Sequence, residues 1–112
     1  MSYIGIDLGG TKILGALFDD KGTVIYKNKK KTKAKNGIKV VEEQLFSLID
    51  DLLGKSGKEK VKAIGIGVPG LVDVKTGTVK FAPNIAMNNY PIGNLIKDKY
   101  KIDVFVGNDV NV

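Results

Sequence analysis

The stretch from Tyr3 to Phe18 constrains this chain more than any other. Ile4, Ile6 and Leu8 alternate with Tyr3, Gly5 and Asp7, the period-two pattern of a strand. Lys12 to Asp19 repeats the pattern, with Ile13 and Leu17 on one side and Leu14, Ala16 and Phe18 on the other. Gly9-Gly10 between the two runs is a hairpin signal. Apolar residues on both sides of the second run predict a sheet covered on both faces. Asp20-Lys21-Gly22 is a further turn, leading into Thr23 to Lys29 as a third strand. The chain therefore opens on three antiparallel strands.

Ile38, Val41, Leu45, Leu48, Ile49 and Leu52 then fall on one helical stripe, with Gly54 and Gly57 as its stop. Val61 to Val68 is a short apolar strand after a helix, hence parallel to the first, and Pro69-Gly70 ends it. Val72 to Val74 and Val79 to Phe81 flank Thr76-Gly77 as a second hairpin. Ile92, Leu95, Ile96 and Tyr100 predict a short helix after Pro91, and Ile102 to Val106 a last strand before Gly107-Asn108-Asp109. Asp109 to Val112 reads as the first turn of a further helix. The expectation is an α/β fold: a mixed sheet, three antiparallel strands then parallel ones, with helices on its faces.

With 112 residues there is room for one core. The chain has no Cys and no His. Disulfide scaffolds, thiol catalysis, Ser-His-Asp triads and His-ligated metals are thereby excluded from it. The net charge of +6 is local: seven lysines lie between Lys27 and Lys39 without an acid, and the other eleven face twelve acids. That run reads as a solvated strand end and loop. All the cations are lysine, and the lack of Arg argues against planar recognition of nucleic acid. No apolar run reaches the roughly 18 residues of a membrane span. The N-terminus opens into a strand pattern without the regions of a signal peptide, so the expected setting is cytoplasmic.

Two sequence matches carry no chemistry. Gly65-Ile66-Gly67-Val68-Pro69-Gly70 fits the dinucleotide pattern, but a hairpin follows instead of the helix whose amides would meet a pyrophosphate. Gly54-Lys55-Ser56 resembles the end of a P-loop, yet it lies at a helix end and Ile49 stands where the earlier glycine belongs.

Asp7-Leu8-Gly9-Gly10-Thr11-Lys12 is the strongest signal. Glycines in a tight turn leave backbone N–H groups unshielded, so Gly9 and Gly10 can cradle phosphate oxygens. Thr11 adds a hydroxyl and Lys12 a point charge. Asp7 beside them is placed to hold Mg²⁺ through water. The same turn also reads as an ordinary Gly-Gly hairpin. At the other end, Asn108 and Asp109 follow a strand end, where open sheets bind ligands. Asn108 can both donate and accept, as a sugar hydroxyl requires. Both residues also read as helix caps. Gly70 serves either as a turn glycine or as a close approach of backbone to a sugar.

The ordered set Asp7-Leu8-Gly9-Gly10-Thr11-Lys12, Gly65 to Gly70, Gly77-Thr78-Val79 with Pro83-Asn84, and Asn108-Asp109-Val110-Asn111 resembles the ROK family of repressors and sugar kinases, especially its glucokinase-like members. The resemblance covers essentially the whole chain. It implies the ribonuclease H-like, actin-like ATPase fold, with residues 1–112 as an N-terminal lobe and a C-terminal lobe outside this chain. It implies that Gly9, Gly10, Thr11 and Lys12 contact ATP phosphates, that Gly70, Asn84, Asn108 and Asp109 contact a hexose, and that Asp109 is the catalytic base. The implied reaction moves the ATP γ-phosphate to a sugar hydroxyl, the primary C6 one, with Mg²⁺. The family's structural zinc belongs to the C-terminal part.

Departures from the family pattern are Met87 for a bulky aromatic, Gly107 for a Glu and Val110 for an Ala. The implied partners are a hexose and ATP, with no nucleic acid and no membrane. One lobe without its partner exposes an apolar cleft wall, so a homodimer or self-association is expected. The isolated lobe is expected to be inactive, because phosphoryl transfer needs a closing partner lobe. A second reading is a sugar-sensing regulatory module. Asp7 stands too near the start for a preceding DNA-binding segment, which weighs against a repressor. A third is a basic interaction module built on the lysine run.

Overall fold

The computed structural model describes residues 1–57, 60–85 and 87–108. Strands β1 (Ser2–Leu8), β2 (Lys12–Phe18) and β3 (Val24–Lys31) form the antiparallel opening. Helix α1 (Ile38–Lys55) leads to β4 (Val61–Val68). Strands β5 (Leu71–Asp73), β6 (Thr78–Ala82) and β7 (Met87–Tyr90) follow, then helix α2 (Ile92–Tyr100) and β8 (Asp103–Asn108). The main sheet runs β3-β2-β1-β4-β8, and β5-β6-β7 form a small second sheet. β4 is parallel to β1, and β8 to β4. The carboxyl ends of β1, β4 and β8 therefore share one edge.

The core lies between that sheet and one helical layer. Ile4 pairs with Leu17 and Ile64, and Ile6 with Gly15 and Ile66, so these side chains share a face. Val41, Leu45, Leu48, Ile49 and Leu52 of α1 are fully buried against it. Gly15 makes the approach possible: a Cβ there would stand 2.8 Å from Leu52 Cδ1 and 3.0 Å from Leu48 Cδ2. Helix α2 lies on the same side, because Gly93 faces Val106, which is in register with Ile66. The two helices meet where the Tyr100 hydroxyl donates to the Phe46 carbonyl and to Asp50. Burial, and then the Asp50 carboxylate, push the Tyr100 hydroxyl pKa well above its ordinary value.

Both described helices thus cover one face of the mixed sheet. The opposite face is a trough of about 740 Å³, lined by Gly5, Asp7, Leu14, Ala16, Phe18 and Lys29. Gly5 lowers its floor, because it carries no side chain, and its partner on β4, Gly65, carries none either. Phe18 folds over Gly5, where a Cβ would lie 3.1 Å from its ring, and so finds partial cover without a helix. Phe105, in register with Gly65, is 65% exposed at the far side. Two boundaries also differ. Helix α1 continues through Gly54, since one interior glycine costs only about 1 kcal/mol while Leu52 beside it is fully buried. β8 extends to Asn108, which is therefore a strand end.

On the helical side, the Asp51 carboxylate accepts from the Tyr26 hydroxyl at 2.9 Å and the Asn28 amide at 2.8 Å, tying α1 to β3. Those two hydrogen bonds, Tyr26 first, hold its pKa below the ordinary value; burial opposes them, and Lys55 and Lys30 add a smaller lowering. A depressed carboxyl pKa stabilises the fold above the unfolded value of about 4, and that contribution is lost as pH falls through the folded one. Asp51→Asn is accordingly expected to flatten the acid limb of a melting-temperature profile below about pH 4. An unchanged acid limb would show that this carboxylate does not report folding.

Candidate active site

The loop from Gly9 to Thr11 joins β1 to β2, and the Gly9 N–H donates to the Lys12 carbonyl at 3.0 Å. Neither Gly9 nor Gly10 takes a left-handed φ. The glycines are therefore not there for a mirror-image hairpin turn; they provide clearance. A Cβ on Gly9 would stand 3.0 Å from the Lys12 carbonyl oxygen, and one on Gly10 2.9 Å from Asn84 Cβ. Gly10, Thr11 and Lys12 are exposed. Their amides, hydroxyl and ammonium are accessible to an anion from outside. Asp7 is exposed on the open face of β1, beside the turn.

Asn84 sits in a 3-10 turn, Pro83–Ile85, that follows β6. Buried Ile85 and Met87 anchor this segment, and Asn84 itself is exposed against Gly10. The sequence positions assigned to phosphate and to sugar are thus neighbours. Gly70 closes the turn after β4 with φ +107°, its Cα packed where a side chain would overlap the Phe81 carbonyl. The Asn108 side-chain amide donates to the Gly70 carbonyl at 2.9 Å. Asn108 ends β8 in register with Val68, the last residue of β4. Gly70 and Asn108 are joined at the same sheet edge from which the Gly9–Thr11 loop rises. Asp109 lies outside the described residues.

Sequence reasoning missed Thr32. Its hydroxyl donates to the Gly9 carbonyl at 2.7 Å, and its N–H to the Thr11 carbonyl at 3.0 Å. These bonds hold the glycine loop from behind. The available signal was one Thr inside the lysine run, Lys31-Thr32-Lys33. Gln44 of α1 also escaped notice: its amide donates to the Lys31 carbonyl at 2.6 Å and its carbonyl accepts from the Lys33 N–H at 3.0 Å. The rejected P-loop triplet does lie at a helix end, with Ser56 as the cap of α1. The dinucleotide-like glycines do lead into a strand, β5.

The ROK family model matches residues 3–112. This chain belongs to the ROK family. It is 30% identical over 112 residues to a glucokinase of Halalkalibacterium halodurans, covering 98% of this chain and 34% of that protein. It is 35% identical over 116 aligned positions to a xylose repressor of Caldicellulosiruptor bescii, covering 98% of this chain and 28% of the repressor. Among solved structures, a ROK family glucokinase from Streptomyces griseus in complex with glucose and AMPPNP superposes with a TM-score of 0.84 at 32% identity, over 99% of this chain and 34% of the other. The ROK chain therefore spans about a third of the length of these relatives, and its mixed sheet with helices is that of the actin-like sugar kinases. Proteins named as glucokinases and as repressors thus both contain a region similar to this chain. Among the described residues, no helix is long and apolar enough to cross a membrane.

Proposed function

We propose that this chain is the N-terminal lobe, residues 1–112, of an ATP-dependent hexose kinase. One observation carries the reading: Gly10 against Asn84 and Gly70 against Asn108 gather all four motif regions at one sheet edge. A phosphate donor and an alcohol acceptor must meet within a few ångströms for transfer, and this edge supplies groups suited to each. Gly9, Gly10, Thr11 and Lys12 would hold the ATP phosphates. Gly70, Asn84, Asn108 and Asp109 would hold the sugar, with Asp109 taking the proton of the primary C6 hydroxyl. The glucose and AMPPNP bound by the Streptomyces griseus relative support the ligand classes.

Mg²⁺ fits through water: Asp7 is a single exposed carboxylate near the turn, and the described residues hold no cluster of three or more potential ligands. When bound, Mg²⁺ would neutralise charge on the phosphates. The fold itself supplies orientation, through Thr32 beneath the turn and Gly70 beneath Asn108. Phosphoryl transfer also needs closure that excludes water, so the isolated lobe binds its ligands weakly and does not turn over. A cytoplasmic setting and self-association through the open apolar face belong to the same proposal. The regulatory reading keeps one supporting observation, the xylose repressors that share this lobe; sugar binding with no nucleotide binding would favour it.

Gly10→Ala tests the kinase reading. Because Gly10 has no left-handed φ, alanine adds little backbone strain, and its methyl instead presses on Asn84 at 2.9 Å. Nucleotide affinity, followed by titrating AMPPNP into the chain, is expected to fall about tenfold while the melting temperature moves by only a few degrees. Unchanged AMPPNP affinity would remove the turn from the phosphate site.

A further inference from the structure

The loop between β1 and β2 is held from outside the hairpin. The Gly9 N–H donates to the Lys12 carbonyl at 3.0 Å. In an ordinary two-residue hairpin the Lys12 N–H would return the bond to the Gly9 carbonyl. Among the described residues, the hydrogen bond to that carbonyl comes from the Thr32 hydroxyl instead, at 2.7 Å. The Thr11 carbonyl is engaged from the same side, by the Thr32 N–H at 3.0 Å. One residue just past β3 thus holds two carbonyls of the turn.

The rigidity of the peptide unit gives these bonds a consequence. A trans peptide points its C=O and the next N–H in opposite directions, and the described chain has no cis bond. Drawing the Gly9 and Thr11 carbonyls toward Thr32 therefore turns the Gly10 and Lys12 N–H groups away from it. Both of those residues are exposed, so the groups can meet an anion. Thr32 is itself held in place: Gln44 of α1 donates to the Lys31 carbonyl at 2.6 Å and accepts from the Lys33 N–H at 3.0 Å. Neighbouring Leu45 and Leu48 anchor that part of α1 in the core. Without the hydroxyl, the Gly9 carbonyl needs another donor. Hairpin geometry offers the Lys12 N–H, and a bond there would withdraw that group from a phosphate.

We propose that Thr32 is a positioning residue for nucleotide binding: by holding two carbonyls of the turn back, it aims the Gly10 and Lys12 N–H groups at the phosphates. The inference rests on the reading of the turn as the phosphate site and names the residue that orients it. Thr32 acts through the turn, not by touching the nucleotide.

The test titrates the chain with AMPPNP and, separately, with glucose, while nuclear magnetic resonance follows the Gly10 and Lys12 amide signals. Thr32→Val keeps the side-chain shape and removes the hydroxyl. Thr32→Ser keeps the hydroxyl and removes a methyl. Thr32→Val is expected to weaken AMPPNP about tenfold, to leave glucose within about twofold, and to shrink the AMPPNP-induced shifts of both amides at matched occupancy. Thr32→Ser is expected to bind AMPPNP within about threefold of the parent. Equal weakening by Val and Ser would overturn the proposal, since loss of packing would then account for it. Equal losses of AMPPNP and glucose in Thr32→Val would also overturn it, as a general loosening of the lobe. If Thr32→Val leaves AMPPNP unaffected while Gly10→Ala weakens it, the positioning role falls and the turn reading stands. If neither variant changes AMPPNP affinity, the turn reading falls and the positioning role with it. Should Thr32→Val not fold, Gln44→Met releases the same segment from α1 and is expected to weaken AMPPNP about threefold with smaller amide shifts; no change in either would overturn the proposal.

Discussion

In a complete two-lobed enzyme carrying this lobe, Asp109→Asn is expected to retain sugar binding and lose turnover by about a hundredfold to ten-thousandfold, the usual contribution of a positioned general base. An ordinary carboxylate has a pKa of about 3.9 and cannot strip an alcohol beforehand. The proton must therefore leave late, as charge develops in a loose transition state in which positioning and neutralisation do most of the catalysis. Asparagine preserves shape and hydrogen bonding to the hydroxyl but offers no oxygen basic enough to take its proton. The substitution separates two readings of the residue. Asn and Asp are equally good helix caps, so a capping role alone predicts a silent variant. Steady-state ADP release beside calorimetric sugar titration distinguishes them. Near-normal turnover would remove Asp109 from the chemistry.

Much of the sheet was legible because its strands alternate cleanly. β1 and β2 read correctly from Ile4, Ile6, Leu8, Ile13 and Leu17, all fully buried or nearly so. The parallel placement of β4 followed from the intervening helix. β7 was not legible. Met87-Asn88-Asn89-Tyr90 contains two asparagines, which are poor strand formers, and Asn89 has φ +50°. Pairing with β6 holds it extended, through Phe81 with Asn88 and Ala82 with Met87. The open face misled for a related reason. Leu14, Ala16 and Phe18 signal burial, whereas Gly5, paired with Ala16, adds no side chain to that face, and a one-dimensional pattern does not show that Gly5 aligns with Gly65 on β4. The site's motifs could be read locally, residue by residue. Their supports could not: Thr32 lies 23 positions from the Gly9 carbonyl it contacts, and Asn108 lies 38 from Gly70. Only the sheet brings those pairs together.

Gly70 is where fold and site depend on one residue, and Gly70→Ala is expected to destabilise the chain by about 3 kcal/mol. Two costs combine. Its φ of +107° is a conformation that side chains rarely adopt, and a Cβ there would overlap the Phe81 carbonyl and press on Ala82 at 3.3 Å. The obstacle is backbone of β6, which cannot swing aside as a side-chain end can. Gly22 separates the two costs: it has φ +84°, and a methyl added there would meet nothing within 4 Å. Gly22→Ala therefore reports backbone strain alone, about 1 kcal/mol. A domain of this kind has about 5–15 kcal/mol in total, so urea midpoints should resolve the difference easily. Relief of the overlap must also move the Gly70 carbonyl, to which Asn108 donates, or push β6 and the Pro83–Ile85 turn behind it. Either movement displaces a proposed sugar contact, Asn108 or Asn84. Sugar affinity should then fall in Gly70→Ala and stay unchanged in Gly22→Ala. Equal midpoints for the two variants would mean that β6 yields freely at this point, and Gly70 would no longer be the joint that seats Asn108.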